Sequence, residues 1–286
     1  MMLSWLPSNF KRKAKSRWKS LRIAISRKSR GFSKRQLVQM LQQLGVKPGD
    51  TLLVHSSLDQ FSAFLGKPTD ILLALQEAIG PNGTLLMPTL PFTGSAIEYI
   101  RTPRVFDVRR TPSQTGLLSE LLRRSPGTIR SVHPTHAVAA WGAHASEMVH
   151  DHHAASMPCG RQTPYGRLLN HAGKLLFLGA DISAMTFFHT VEEILEPLMP
   201  FSPFTREVFS LESRDGQGNA MITQTRLFEP KYSQCRNLER LVRELKCRGW
   251  WFEARRGGLK AILVNADQVL DVCSALGKRG IFCYDV

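Results

Sequence analysis

Four short runs of apolar residues divide the chain, and each ends in glycine, proline or polar residues. They are TLLVHSS (51–57), TLLMPT (84–89), AVAAWG (137–142) and KLLFLG (174–179). Continuous apolar runs of this length predict strands that are buried on both faces of a sheet. Apolar residues at helical spacing lie before, between and after these runs, over 34–45, 70–80, 115–124 and 186–195. The alternation of such strands with helices predicts an α/β fold.

The C-terminal third has a different pattern. Residues 205–227 alternate between apolar and polar positions, with turn residues at Asp215 and Gly218, which predicts an antiparallel hairpin. A helix over 235–249 and a strand–helix pair over 259–280 follow. We therefore predict a central, mostly buried mixed sheet flanked by helices, with a more α+β C-terminal third.

The positive charge of the chain is concentrated at its start. The net charge is +15, and residues 1–30 contain ten Lys or Arg and no Asp or Glu. Trp18, Leu21 and Ile25 recur at helical spacing within this tail, as in a helix on an anionic membrane surface. A disordered basic extension is the alternative. We divide the chain into a tail, 1–30, and a catalytic domain, 31–286.

Several classes of protein are disfavoured by what the sequence lacks. The chain has no apolar run of 18 residues, and its five cysteines show no CxxC spacing. Walker A, GxGxxG, GxSxG and HExxH motifs are also missing. We expect a cytoplasmic protein, in peripheral contact with the inner membrane face if the tail binds lipid. We expect no nucleic-acid partner, and the oligomeric state is left open.

Two groups of histidines raise the question of a metal site. His133 and His136 flank Pro134, which disfavours the helix that would place both rings on one face. The loop around Asp151 contains His152 and His153, and is interpreted as a solvated polar loop. We expect no metal. We expect His133 to line a site and His136 to be structural, and which of them faces the site stays open.

The segment FFHTVEE places His189 and Glu192 three residues apart, as neighbours on one helix face. A carboxylate one turn away can orient an imidazole and raise its basicity, as a general base requires. The alternative is an ion pair on a helix surface. The preceding Phe187 and Phe188 favour partial burial of this segment.

Taken in order, the motifs resemble those of the aminoglycoside 3-N-acetyltransferase, or antibiotic N-acetyltransferase, family. They are VHSSL (54–58), IGPNGTLLMPTL (79–90), FDVRRTPS with HPTHAVAAWG (106–142), HDHH (150–153), TPYGRLL (163–169), GKLLFLG (173–179) and FFHTVEE (187–193). The combination is specific, although no single motif is. It covers about residues 35–195 and leaves the tail and the C-terminal third unanchored.

The resemblance implies acetyl-CoA-dependent acetylation of an amine, in a fold unlike that of the GNAT acetyltransferases. It implies His189 as general base with Glu192 as its partner. The positions that would contact acetyl-CoA are His55, Ser56, Ser57, Leu58, Ser113 and Thr115. The positions that would line the acceptor site are His133, Thr135 and Asp151.

The charge of the chain shapes our expectation for the acceptor. Outside the tail the chain has 28 basic and 23 acidic residues, a mildly basic balance that suits an anionic acceptor better than a polycationic one. We expect an amino sugar used in surface-polysaccharide synthesis. One alternative is aminoglycoside 3-N-acetylation, which confers antibiotic resistance. The other is a non-catalytic, membrane-associated scaffold of the same fold.

Overall fold

A computed structural model describes residues 24–285. Most of the predicted tail, residues 1–23, lies outside the described residues, so its membrane-surface interpretation stays a prediction. Residues 24–30 are helical, and buried Ser26 lies with its hydroxyl 3.4 Å from that of Ser62. Among the described residues, no helix has the length and hydropathy to cross a membrane.

A seven-stranded mixed sheet forms the centre of the fold. Its strands, in spatial order, are β4 (Ile129–Arg130), β5 (Val138–Gly142), β2 (Thr84–Pro88), β1 (Thr51–Ser56), β6 (Lys174–Leu178), β10 (Leu259–Asn265) and β9 (Phe252–Arg256). Strands β2, β1 and β6 are parallel, and the outer pairings are antiparallel. The four apolar runs are thus confirmed as neighbouring central strands.

Helices cover both faces of this sheet. They are α1 (Lys34–Leu44), α2 (Pro68–Ile79), α3 (Ala96–Ile100), α4 (Leu117–Arg124), α5 (Ala145–Val149), α6 (Phe188–Leu195), α7 (Pro230–Cys235), α8 (Glu239–Cys247) and α9 (Ala266–Gly277). Short 3₁₀ helices lie at Leu58–Phe61, His152–Ala154, Gly166–His171, Ile182–Ala184 and Glu196–Leu198. The predicted α/β class with flanking helices is confirmed.

Side chains of the central strands alternate between two apolar layers. Leu52 and Val54 of β1 pack in the layer with α1, α2 and α4, whereas Leu53 packs in the layer with α6, α8 and α9. The same alternation places Leu176 in the first layer and Phe177 in the second. A strand with two buried faces has no polar positions, which is why these strands appear as unbroken apolar runs in the sequence.

The predicted hairpin forms a second, smaller sheet. Strands β7 (Phe209–Arg214) and β8 (Ala220–Thr225) pair antiparallel, and β3 (Phe106–Asp107) pairs with β7 in parallel. Asp215 accepts backbone N–H groups of Gln217 and Asn219 at the turn. The turn residues seen in the sequence therefore close this hairpin.

Most of the residues expected to be functional lie at one edge of the central sheet. Parallel strands β1, β2 and β6 end there at Ser56, Pro88 and Leu178. Antiparallel β5 begins at the same edge, because Val138 pairs with Pro88. In open α/β sheets, ligands bind in the crevice outside the carboxyl ends of the strands. The fold thus brings distant motifs to the position where such folds bind ligands.

Gly142 ends β5 at a point where a side chain has no room. Its φ is +112°, and an added Cβ would lie 2.1 Å from the carbonyl oxygen of Gly83. We expect Gly142→Ala to lower the free energy of unfolding by about 1–3 kcal/mol, because strain and a backbone clash add together. Urea unfolding measures this change. Gly216→Ala is the control, since nothing lies within 4 Å of its added Cβ. Equal stability of the two variants would contradict the prediction.

Candidate active site

The predicted His189–Glu192 pair is present on the first turn of α6. His189 Nδ1 lies 2.7 Å from Glu192 Oε2, and the two side chains are 15% and 2% exposed. The ring of Phe228 lies against the imidazole, with centroids 4.5 Å apart. The pair is therefore largely buried, which excludes the alternative of a solvated surface ion pair.

Two residues that the sequence analysis missed complete the environment of Glu192. Arg236 Nη2 donates a hydrogen bond to Glu192 Oε1 at 2.9 Å, and the Tyr284 hydroxyl donates to the same oxygen. The Arg236 guanidinium lies over the Phe228 ring, 4.7 Å from its centroid. No local pattern marks Arg236 or Tyr284, because they lie 44 and 92 residues beyond Glu192.

These contacts keep the Glu192 carboxylate ionised inside the protein. Burial opposes its charge, but Arg236 and His189 outweigh burial and hold the pKa of Glu192 below its ordinary value. An ionised carboxylate can only accept hydrogen bonds. His189 Nδ1 must therefore carry the proton that it shares with Glu192, which assigns the tautomer from the hydrogen bond.

The Nε2 atom of His189 is left as the basic nitrogen. Burial lowers the pKa of His189, and Glu192 offsets only part of that effect. The imidazole is therefore neutral at pH 7, with a lone pair on Nε2. An oriented neutral imidazole of this kind can accept a proton from a reacting amine.

Three further histidine rings continue inward from His189. Ring centroids are 6.1 Å apart for His189 and His136, 6.0 Å for His136 and His133, and 4.5 Å for His133 and His152. His136 rather than His133 is thus the ring beside His189, and the role of either in an acceptor site stays a prediction. The cause of this order is the turn at Pro134, where His133 Nδ1 accepts the N–H groups of Thr135 and His136 and is held inside.

The turn at Pro134 also determines which ring nitrogen of His133 carries the proton. Because His133 Nδ1 accepts two N–H groups, its proton lies on Nε2, which is buried without a protein partner. The Thr135 hydroxyl lies 2.9 Å from His136 Nδ1. Thr135 is itself buried, so its hydroxyl contacts His136 from the interior of the protein. His152 is bonded on both ring nitrogens, to the Ser131 hydroxyl and the Pro158 carbonyl.

The residues expected to contact acetyl-CoA lie at the ends of β1 and β2. His55 is buried and stacks on Phe177, with ring centroids 5.1 Å apart. Ser56 ends β1, and the Ser57 N–H donates to the Leu178 carbonyl. Leu58 then starts a 3₁₀ helix and packs against the core.

Ser113 and Thr115 come to the same edge from another segment. Their hydroxyls lie 2.8 Å apart, and that of Thr115 donates to the carbonyl of Pro88, the last residue of β2. Asp151 lies elsewhere: it is exposed, has a left-handed backbone (φ 51°), and lines a separate surface pocket with Arg109 and Arg123. Its predicted role in the acceptor site thus has no support from position.

A cavity with more basic than acidic residues, here called the basic cavity, lies beside the β1 turn; two of its cations, Arg255 and Lys260, also pair with Glu253 at 3.1 Å. Its volume is about 610 Å³, and Gln60 and Gly179 form the wall next to Ser57. Two acidic residues, Asp181 and Glu239, also line it, along with the indole of Trp251. The four cations of its lining are Arg243, Lys246, Arg255 and Lys260. A cavity with this balance of charge favours an anionic ligand.

Fold and site together define an α/β protein with an oriented, buried His–Glu pair at the carboxyl edge of its sheet. The family model described as aminoglycoside 3-N-acetyltransferase matches residues 53–276. The chain belongs to that family. The match includes the C-terminal third as far as residue 276, a region that the sequence motifs left unanchored.

Relatives agree with this assignment. The chain is 31% identical over 169 residues to an aminoglycoside N(3)-acetyltransferase IX of Micromonospora chalcea, a match covering 54% of this chain and 60% of that protein. The chain thus spans less than two thirds of that relative. A solved structure titled AAC-IIIb binary with CoASH has a TM-score of 0.70 and 22% identity, covering 89% and 99% of the two chains. AAC-VIa bound to sisomicin has a TM-score of 0.70 and 26% identity, covering 85% and 96%.

The buried histidines predict a strong loss of stability in acid. Burial lowers the pKa of His55 to about 4 and of His152 to about 3, and it lowers those of His133, His136 and His189. Each folded-state pKa lies below the unfolded value of about 6.5, so unfolding takes up protons as pH falls. With respect to these histidines, the free energy of unfolding is therefore at its maximum above about pH 6.5. It falls below that pH by up to about 1.4 kcal/mol per pH unit for each histidine.

The measurement is urea unfolding between pH 7.5 and pH 5, compared with the same series for His55→Leu. Carboxylates also make the protein less stable in acid. The difference between the wild-type and variant slopes of unfolding free energy against pH therefore isolates the contribution of one histidine. We expect a shallower slope in His55→Leu and an unchanged slope in the control Gln43→Leu, an exposed position where no titratable group is removed. An unchanged slope in His55→Leu would contradict the prediction.

Proposed function

We propose that the protein transfers the acetyl group of acetyl-CoA to the 3-amino group of an aminoglycoside. The observation that carries the chemistry is the buried His189–Glu192 pair, with Nδ1 tied to the carboxylate at 2.7 Å. Support for the acceptor comes from the family and from relatives whose names state aminoglycoside N(3)-acetyltransferase. These names favour an aminoglycoside over the polysaccharide amino sugar expected from charge.

The residues present suit this reaction. An alkylammonium group is not a nucleophile, so its proton must be removed as nitrogen attacks the thioester carbonyl. His189 Nε2 accepts that proton, and the Glu192 carboxylate stabilises the resulting imidazolium through Nδ1–H. As the new C–N bond forms, the C–S bond breaks, and the second nitrogen proton passes to the CoA thiolate, which leaves as CoASH. The imidazolium then releases its proton to solvent. Arg236 and Tyr284 hold Glu192 in place and so act as positioning residues. Acetyl-CoA supplies the acyl group, so the protein itself needs no nucleophile.

The basic cavity gives the proposal a place for the phosphates of acetyl-CoA. Its wall at Gln60 and Gly179 adjoins the Ser57 turn, where the family motif puts the co-substrate. Lys246 Nζ lies 5.3 Å from the centroid of the Trp251 ring, so a cation and an aromatic face occur together. Cations suit phosphate groups, and an aromatic face suits a nucleotide base.

The first experiment tests the reaction and the base. We expect thiol release from acetyl-CoA with gentamicin and sisomicin, and a loss of about 10²–10⁴ in kcat/KM for His189→Ala. Glu192→Gln should lower kcat with little change in KM, since it changes the orientation of the base. His153→Ala is the control. Thiol release only with a nucleotide-linked amino sugar would reject an aminoglycoside as the acceptor. If none of the amines caused thiol release, the proposed function would be rejected.

The second experiment tests the phosphate site. Dephospho-acetyl-CoA lacks the 3′-phosphate, and we expect its KM to exceed that of acetyl-CoA by about tenfold, the value of one charged hydrogen bond. Lys246→Gln combined with Arg243→Gln should raise the KM for acetyl-CoA and remove most of that difference. Arg248→Gln, on the same helix end but outside the cavity, is the control. An unchanged KM in the double variant would place the phosphates elsewhere.

A further inference from the structure

A cluster of potential metal ligands lies at the opposite edge of the sheet from His189. It consists of His144, Glu147 and His171, whose ligand atoms all lie within 4.8 Å of one another. His144 follows the end of β5, which is the edge where β2 begins, and its N–H donates to the Thr84 hydroxyl. His171 precedes Lys174, the first residue of β6. The cluster is thus separate from the proposed reaction.

Two distances within the cluster are close to the spacing of zinc ligands, and the third pair of ligand atoms, on His144 and His171, lies within 4.8 Å. His171 Nε2 lies 3.0 Å from Glu147 Oε1, and His144 Nδ1 lies 3.4 Å from Glu147 Oε2. Zinc–nitrogen and zinc–oxygen bonds of about 2.0–2.2 Å in a tetrahedron place neighbouring ligand atoms about 3.3 Å apart. Two imidazoles and one carboxylate are also a donor set that Zn²⁺ accepts, with a water molecule as fourth ligand.

The two segments that carry these ligands are fixed to each other before any metal binds. Arg167, in the same 3₁₀ helix as His171, donates from Nη1 to the carbonyls of Glu147, Met148 and His150 at 3.1, 3.0 and 2.7 Å. One buried guanidinium thus joins the end of α5 to the segment before β6. A site on segments held in this way loses little conformational entropy on binding.

We propose that His144, Glu147 and His171 bind one Zn²⁺ ion, which joins α5 to the Gly166–His171 segment. The role is structural, because the cluster lies at the amino ends of β2 and β6. No metal was expected from the sequence, where only the histidines around Pro134 and Asp151 were weighed as ligands. Here His171 lies 24 residues beyond Glu147, and only the fold brings them together.

The test is calorimetric titration of the metal-free full chain with Zn²⁺ alone. We expect one equivalent to bind to the wild type, and a loss of affinity of at least about tenfold in His171→Ala and Glu147→Gln. Loss of a partner that only orients a ligand weakens binding by about 10–100-fold, so loss of a ligand should do no less. His153→Ala is the matched control and should bind as the wild type does. Circular dichroism of each variant confirms that it is folded.

A spectroscopic measurement identifies the ligands. Co²⁺ in the site should give the visible absorption of a tetrahedral ion with nitrogen and oxygen ligands, and His171→Ala should lose it. Absorption typical of thiolate–cobalt bonds would instead assign the ion to a cysteine, such as exposed Cys247. Zn²⁺ should also raise the Tm of the wild type and not that of His171→Ala. Absence of zinc binding, or equal affinity in wild type and His171→Ala, would overturn the proposal.

Discussion

The buried carboxylate of Glu192 is the constraint on which the candidate site depends. An isolated carboxylate in the interior would lose its hydration, an unfavourable change of several kcal/mol, so it requires partners there. Those partners come from three parts of the chain: His189 on the same helix, Arg236 after α7, and Tyr284 near the C-terminus. The Glu192 carboxylate that orients His189 therefore also holds the C-terminal segment against α6.

Burial has two consequences for the histidines at this edge. It keeps His189 neutral at physiological pH, so that Nε2 can accept a proton without first losing one. The same desolvation, together with repulsion from neighbouring cationic groups, lowers the pKa values of His133, His136 and His152. A neutral imidazole at His189 and the predicted sensitivity of the fold to acid are thus two consequences of one buried environment.

The sequence predicted the central strands and the His189–Glu192 pair, because both are encoded locally. An unbroken apolar run specifies a strand buried on both faces, and a spacing of three residues specifies neighbours on a helix. Strand β9 was missed, since Phe252–Arg256 is an edge strand with charged and exposed positions. The order of His133 and His136 could not be predicted either, because it depends on how the turn at Pro134 bonds to the His133 ring.

The C-terminal third shows why motif order alone understates the extent of the site. Its sequence carries none of the motifs of residues 35–195, yet it provides Arg236 and Tyr284 to Glu192 and most of the cations to the basic cavity. The partners of a buried carboxylate need only a suitable charge or hydrogen-bond donor and a side chain long enough to contact it. Many segments of the backbone could therefore supply them. His189 and Glu192 occupy fixed places in one motif, whereas Arg236 and Tyr284, which contact Glu192 from distant segments, become visible only in the folded structure.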